Sequence, residues 1–159
     1  MATSTTSIVQ SADHVAVVNL GALSDLSRVT LTVPGLSFKV QGKVFLKQLL
    51  GLTGAEISLN ALPPGHAIPF LHKHHLNEEI YVVVKGNGEF QVDGRVFPVQ
   101  EGTVVRIDPS GARSFRNTST VDVLCYVVIQ ARAGSLEDHT IQDGYRVPQT
   151  VTWENLPPL

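Results

Sequence analysis

Residues 70–88 read FLHKHHLNEEIYVVVKGNG, and the architecture of the protein can be inferred from this stretch. Three histidines (His72, His74, His75) and two acids (Glu78, Glu79) are followed at once by Ile80-Tyr81-Val82-Val83-Val84. Imidazoles and carboxylates beside an apolar run are costly unless a partner holds them there. The β-branched and aromatic run indicates a strand, and Gly86-Asn87-Gly88 breaks it. Side chains two positions apart diverge by about 200° on a helix. On a strand they face the same side, roughly 6.6 Å apart at Cα, so the rings of His72 and His74 can converge on one ion. His75 then faces the other way. A helix would instead pair His75 with Glu79, but Pro69 ahead and the β-formers behind favour the strand. Parity groups Glu79 with Tyr81 and Val83, and Glu78 with Ile80 and Val82. Both faces are apolar, so these residues alone leave the choice of acid open. Two histidines and a carboxylate with open positions suit one divalent transition metal, Fe(II) or else Mn, Ni, Zn or Cu. The plainer reading is a solvated loop that happens to be rich in histidine.

Similar β-rich runs, separated by turn residues, occupy 56–62 (EISLNAL), 79–85, 88–92, 95–99, 103–107 and 121–130. Asp93-Gly94 between EFQV and RVFPV is a hairpin signal, because both turn positions need positive φ. Pro98 removes a ladder donor and predicts an edge strand or a bulge. Many short strands at this spacing predict an antiparallel sandwich or closed barrel. Residues 44–51 (VFLKQLLG), with apolar residues at 45, 46, 49 and 50 and a closing glycine, predict a short helix. Residues 1–14 read as frayed, and the polar stretch 132–147 as an extended tail or lid.

The 159 residues suffice for one well-filled domain and show no internal repeat. A net charge of -2 with scattered Lys and Arg argues against nucleic acid and anionic membranes as partners. No run approaches the length of a membrane span, and the N-terminus lacks the pattern of a secretory signal. Cys125 is the single cysteine, which excludes an intrachain disulfide and reads as a buried core residue. These features together lead us to expect a cytoplasmic protein.

Gly65, His72-x-His74, Glu79 and Gly86 resemble the first conserved motif of the cupins, small jelly-roll barrels that usually hold one metal ion. The resemblance selects Glu79 as the acid. It implies a second motif over GTVVRIDPSGARSFRN, from Gly102 to Asn117, and it covers roughly residues 56–130. The second motif departs from the family pattern. The usual proline falls at Asp108 with Pro109 beside it, and the usual glycine at Ser110 with Gly111 beside it. The fourth metal ligand, a histidine in the family, falls at Arg113.

Arginine has no lone pair to give a metal, stays charged, and repels a nearby cation while attracting an anion. Two pictures follow. One is a three-ligand metal site (His72, His74, Glu79) beside an anion clamp formed by Arg113. The other is a metal-poor pocket for an acidic small molecule. A plainer role for Arg113 is a rim residue paired with Asp108 or solvent. Tyr81 and Phe115 are expected to line the pocket or to fill the core. Cys125 and Tyr126 have opposite parity, so one of them looks inward. His66 and His139 read as solvated, and His14 has no assigned role.

The expected fold is therefore all-β: one jelly-roll (double-stranded β-helix) cupin barrel over residues 41–131. An N-terminal extension (1–40), partly disordered and available for dimerisation, precedes it, and a tail (132–159) follows. The resemblance implies a metal-binding cupin that acts on or binds a small acidic organic molecule, as a dioxygenase or isomerase does. The alternative is a non-catalytic small-molecule-binding or regulatory cupin with little or no metal. A homodimer is expected, because VAVVNLGAL and VTLTV hold more apolar surface than one small barrel can bury.

Overall fold

The computed structural model describes residues 8–31, 39–138, 140–154 and 156–158. Its elements run β1 (Ile8–Ala12), β2 (Val15–Asn19), a 3-10 helix (Leu23–Arg28), β3 (Thr30–Leu31), β4 (Val40–Gln41), β5 (Lys43–Phe45) and α1 (Lys47–Leu50). They continue with β6 (Glu56–Leu62), β7 (Asn77–Lys85), β8 (Asn87–Val92), β9 (Arg95–Gln100), β10 (Val104–Ile107), β11 (Arg113–Asn117) and β12 (Leu124–Arg132). A five-stranded sheet in the order β10-β7-β12-β6-β5 faces a three-stranded sheet in the order β11-β8-β9. The pairings within both sheets are antiparallel. The architecture is the all-β jelly roll expected from the sequence.

Several local readings hold. Asp93 (φ 47°) and Gly94 (φ 79°) form the turn between β8 and β9. Pro98 lies on β9, at the edge of its sheet, where no ladder donor is needed. Gly51 (φ 66°) caps α1 in the left-handed region. Other readings fail. The helix expected over 44–51 is a single turn, Lys47–Leu50, because the chain just before it pairs with β6 as strand β5. Residues 8–19 form an antiparallel hairpin rather than a frayed end, and His14 sits in its turn with φ 69°. β11 has no counterpart among the expected strands. His139 and residues 32 and 33 of VTLTV lie outside the described residues.

The main core fills the space between the sheets and includes Val83, Phe90, Leu124 and Val128, each at most 2 % exposed. Four aromatic rings interlock within it. Phe90 stacks on Phe115 at 4.2 Å, Tyr81 meets Phe90 edge-on at 4.8 Å, and Phe115 meets Tyr126 edge-on at 5.0 Å. Such pairs contribute about 0.5–1.5 kcal/mol each beyond their burial. A second cluster lies on the outer face of the larger sheet, where Leu26 packs with Ala61 and Cys125, joined by Leu20, Leu23 and Val29. Part of the N-terminal apolar surface is thus buried within the chain. The sole cysteine is a free, buried thiol of this outer cluster, and its burial raises its pKa.

Asn117 closes the barrel's far side. Its amide donates to the carbonyls of Leu62, Pro63 and Asp122, while its Oδ1 accepts from the Ser119 N–H. After β12 the described chain forms turns and irregular structure and leaves Leu136, Ile141, Tyr145 and Trp153 more than four-fifths exposed.

Candidate metal centre and cavity

β7 is a central strand, paired with β10 on one side and β12 on the other, with Glu79 opposite Ile107 and Gln130. Its inward parity carries Glu79, Tyr81 and Val83, all buried. Glu78 points outward and pairs with Arg106, which also holds Asp108 at 2.6 Å. The structure therefore settles on Glu79 as the acid that faces the interior.

The histidines arrive on an extended segment that runs antiparallel beside β11. The Ile68 N–H donates to the Phe115 carbonyl, and the N–H and carbonyl of His72 exchange hydrogen bonds with Arg113 at 3.1 Å each. Residues 69–71 bulge between these contacts, and the Ser114 hydroxyl donates to the Ile68 carbonyl beneath them. The His74 N–H donates to the Pro109 carbonyl. His72 and His74 are half-buried and their rings meet edge-on at 5.6 Å, whereas His75 is exposed. The segment is a bridge and a bulge rather than a regular strand, yet the alternation read from the sequence is kept.

These elements bring ligand atoms of His72, His74 and Glu79 within 4.8 Å of one another. His72 Nε2 lies 3.7 Å from Glu79 Oε2, and His74 Nε2 lies 3.1 Å from Oε1. Buried His72 Nδ1 and His74 Nε2 make no well-aligned hydrogen bond, and His74 Nε2 faces only Glu79 Oε1. The set fits a single transition metal ion: the 3.1 Å gap suits neighbouring ligands that each sit about 2.1 Å from one ion.

Arg113 is fully buried and lines the same cavity. Its Nε and Nη2 both donate to Glu79 Oε2, at 3.0 and 2.7 Å, and its Nη1 donates to the Gly111 carbonyl at 2.9 Å. The fork that the sequence offered to a ligand's carboxylate is occupied by a carboxylate of the protein itself. Asp108, suggested as its partner, is held by Arg106 instead.

The hydroxyl of Tyr81 donates to the same oxygen at 2.5 Å. Oε2 thereby accepts three hydrogen bonds and Oε1 is left toward His74. Burial would raise the Glu79 carboxyl, but contacts from His72, Tyr81 and Arg113 outweigh it and hold the group well below the usual carboxylate range. Burial, reinforced by Glu79, raises the Tyr81 phenol. Burial also lowers the His74 pKa, with Glu79 opposing and Arg113 adding to the effect.

The cavity behind this group has a volume of about 240 Å³. Its walls are mostly apolar, with Phe45, Leu62, Ile68, Phe115, Tyr126 and Val128 among them. Tyr81 and Phe115 have both expected roles, since each is a core residue and each reaches the cavity. Of the pair on β12, Tyr126 looks inward and Cys125 outward. His66 is exposed, and its ring meets the Pro64 carbonyl.

Sequence reasoning missed Lys43 and Asn60, which both line the cavity and sit opposite one another in the β5–β6 ladder. The alternation Lys43-Val44-Phe45 carried the signal, but it was absorbed into the helical pattern that follows it.

A double-sheet barrel with His-x-His and a glutamate converging beside its cavity is the architecture of the cupins. Comparison with known proteins agrees, since the profile of the cupin domain matches residues 59–129. A crystal structure of a cupin protein from Bacteroides fragilis is 38% identical and superposes with a TM-score of 0.62, covering 74% of this chain and 94% of that one. The chain belongs to the cupin family. It is also 37% identical over 68 residues to an oxalate-binding protein of Thermotoga maritima, covering 43% of this chain and 55% of that protein. An uncharacterized protein of Methanocaldococcus jannaschii is 33% identical over 67 residues, covering 41% of this chain and 54% of the relative. The chain thus spans about half the length of the curated relatives it matches. Among the described residues, no helix is long and apolar enough to cross a membrane.

Proposed function

We propose that the protein holds one divalent transition metal ion on His72, His74 and Glu79 and binds or transforms a small organic acid in the adjoining cavity. The observation that carries this reading is the division of labour at Glu79: Oε2 accepts from Arg113 and Tyr81, while Oε1 lies 3.1 Å from a His74 nitrogen that makes no well-aligned hydrogen bond. When bound, such an ion supplies Lewis acidity, or activation of O2 or water, of the kind used by dioxygenases and isomerases. Arg113 and Tyr81 orient the carboxylate, as partners of a metal ligand do. The apolar walls exclude water, and 240 Å³, below the roughly 300–1,000 Å³ of drug-sized pockets, sets a small ligand. The T. maritima relative named for oxalate binding supports an acidic ligand.

Metal analysis of the purified protein tests the reading. About one equivalent is expected, and the double variant His72→Ala/His74→Ala should lose it. His74→Ala alone should lower metal affinity by an order of magnitude or more, whereas exposed His75→Ala should leave it unchanged. Loss of metal in His75→Ala would show that a different set of ligands is in use.

A second reading, a binding or regulatory module without metal, draws support from Arg113, whose guanidinium already neutralises Glu79 at 2.7 Å. Protein that purifies without metal and takes up none of Fe(II), Mn, Ni, Zn or Cu would establish this alternative.

A homodimer and a cytoplasmic location are part of the proposal. The exposed apolar residues of the hairpin and tail, Val15, Val17, Ile141, Tyr145 and Trp153 among them, support the first. The single buried cysteine supports the second. Light scattering at micromolar concentration is expected to give twice the chain mass; a monomer contradicts the dimer.

A further inference from the structure

Among the described residues, three charged side chains line the cavity: Arg113, Glu79 and Lys43. Arg113 and Glu79 are bound to each other, so their charges cancel at close range. Lys43 has no such partner. Among the described residues its ammonium forms no ion pair within 4 Å and donates no hydrogen bond, and its close contact is the Phe45 ring, with Nζ 4.8 Å from the centroid. Strand parity fixes which way it points. Val44 joins the outer cluster with Leu26 and Cys125, while Lys43 and Phe45, on either side, face the cavity. The ladder partner of Lys43, Asn60, makes no hydrogen bond to the ammonium in this structure, although its Oδ1 is free to accept one. Its Nδ2 is committed to Ser58 and Tyr126, and its buried Oδ1 has no donor. An ammonium group beside an aromatic wall, with no ion pair of its own, gives the cavity a positive charge that Glu79 and Glu56 attract only from longer range, while burial lowers its pKa.

We propose that Lys43 is the residue that receives the anionic group of the ligand, and that the cavity selects small monoanionic acids with an apolar body. The inference refines the ligand class proposed above and assigns the charge recognition to Lys43 in place of Arg113, whose three nitrogens each already donate within the protein, to Glu79 and Gly111. The aromatic and aliphatic walls take the body of the acid. The carboxylate meets the ammonium, a contact between ionised groups that is shorter and stronger than a neutral one.

Titration calorimetry with propionate, isobutyrate and benzoate, each paired with its neutral amide, is the test. Wild type should bind the acids at least about tenfold more tightly than the amides, and Lys43→Met should weaken the acids roughly 10- to 100-fold. Lys43→Arg should retain most of the affinity. Metal content should be the same in all three proteins. The Lys43 side chain makes no hydrogen bond among the described residues, so Lys43→Met should keep the fold, as a thermal melt will show. The acid–amide comparison on wild type stands even if that variant misfolds. Equal affinity for acids and amides, no binding of any acid, or unchanged affinity in Lys43→Met overturns the inference. The metal reading fails separately: a protein that purifies without metal but still loses acid affinity in Lys43→Met keeps Lys43 in this role and removes the ion.

Discussion

Arg113→Ala should destabilise the protein by about 3–5 kcal/mol, the range measured when one partner of a buried ion pair is removed. Arg113 is 0 % exposed and the Glu79 side chain 3 %. Truncating the arginine deletes two hydrogen bonds to Glu79 and one to the Gly111 carbonyl, and it leaves a carboxylate in an apolar cavity. Glu79→Ala should cost a comparable amount by stranding the guanidinium. The double variant should cost clearly less than the sum, because the penalty of each single change is the charge left behind. Urea denaturation of the four proteins measures the cycle. A loss under about 1 kcal/mol for Arg113→Ala would mean that water or the histidines already compensate Glu79. Arg113→His addresses the metal instead. It removes a cation 2.7 Å from a proposed ligand oxygen and supplies an imidazole, so metal affinity should rise. Unchanged affinity would show that the guanidinium does not oppose the ion.

Gly42→Ala is expected to be at least as damaging. Gly42 has φ 73°, which costs a residue with a Cβ on the order of 1–3 kcal/mol by itself. The added Cβ would also lie 2.0 Å from the Ala61 carbonyl oxygen, a backbone atom that cannot swing aside. That approach is close for a reason: the Ala61 N–H donates to the Gly42 carbonyl at 2.7 Å, and the Gly42 N–H donates to the Val29 carbonyl at 2.8 Å. The kink there joins β4 to β5 and sets Lys43 at the cavity wall. The variant should melt on the order of 10 °C lower, and any folded fraction should bind acids more weakly because β5 has shifted. A variant with wild-type melting and acid binding would show that this turn relaxes without consequence.

How far the sequence could be read depended on how local the determinants were. The Asp-Gly turn, the edge proline and the parity of His72, His74 and His75 are each set within a few residues, and each appears as expected. The choice between Glu78 and Glu79 was not local, because both faces of β7 are apolar; pairing with β10 and β12 decides it. β11 escaped detection because RSFRN carries two arginines in five positions, a pattern that hydropathy assigns to the surface. One of those arginines is among the most buried side chains described, and it is there because Glu79 is. β5 was lost for a different reason. Its three residues run straight into a helical turn, and the apolar spacing of the combined stretch fits a helix better than either half does. The mistake concealed Lys43, so the sequence placed the cavity's positive charge on Arg113 alone.

The bulge at residues 69–71 divides the site into parts of unequal durability. Glu79 belongs to a strand bonded on both sides, whereas the backbone of His72 and His74 is tied by the pair of bonds to Arg113 and the one to Pro109. Proteins open locally with free energies set by such differences, and loosely tied segments open first. The amides of His72 and His74 should therefore exchange with deuterium well before those of Tyr81 or Val83. Each such opening carries both imidazoles off while the barrel stays shut. An ion bound there would clamp the segment, so slower exchange at those two amides reports occupancy without any knowledge of the reaction. Exit of such an ion would then be governed by the peeling of a short loop rather than by the unfolding of the protein.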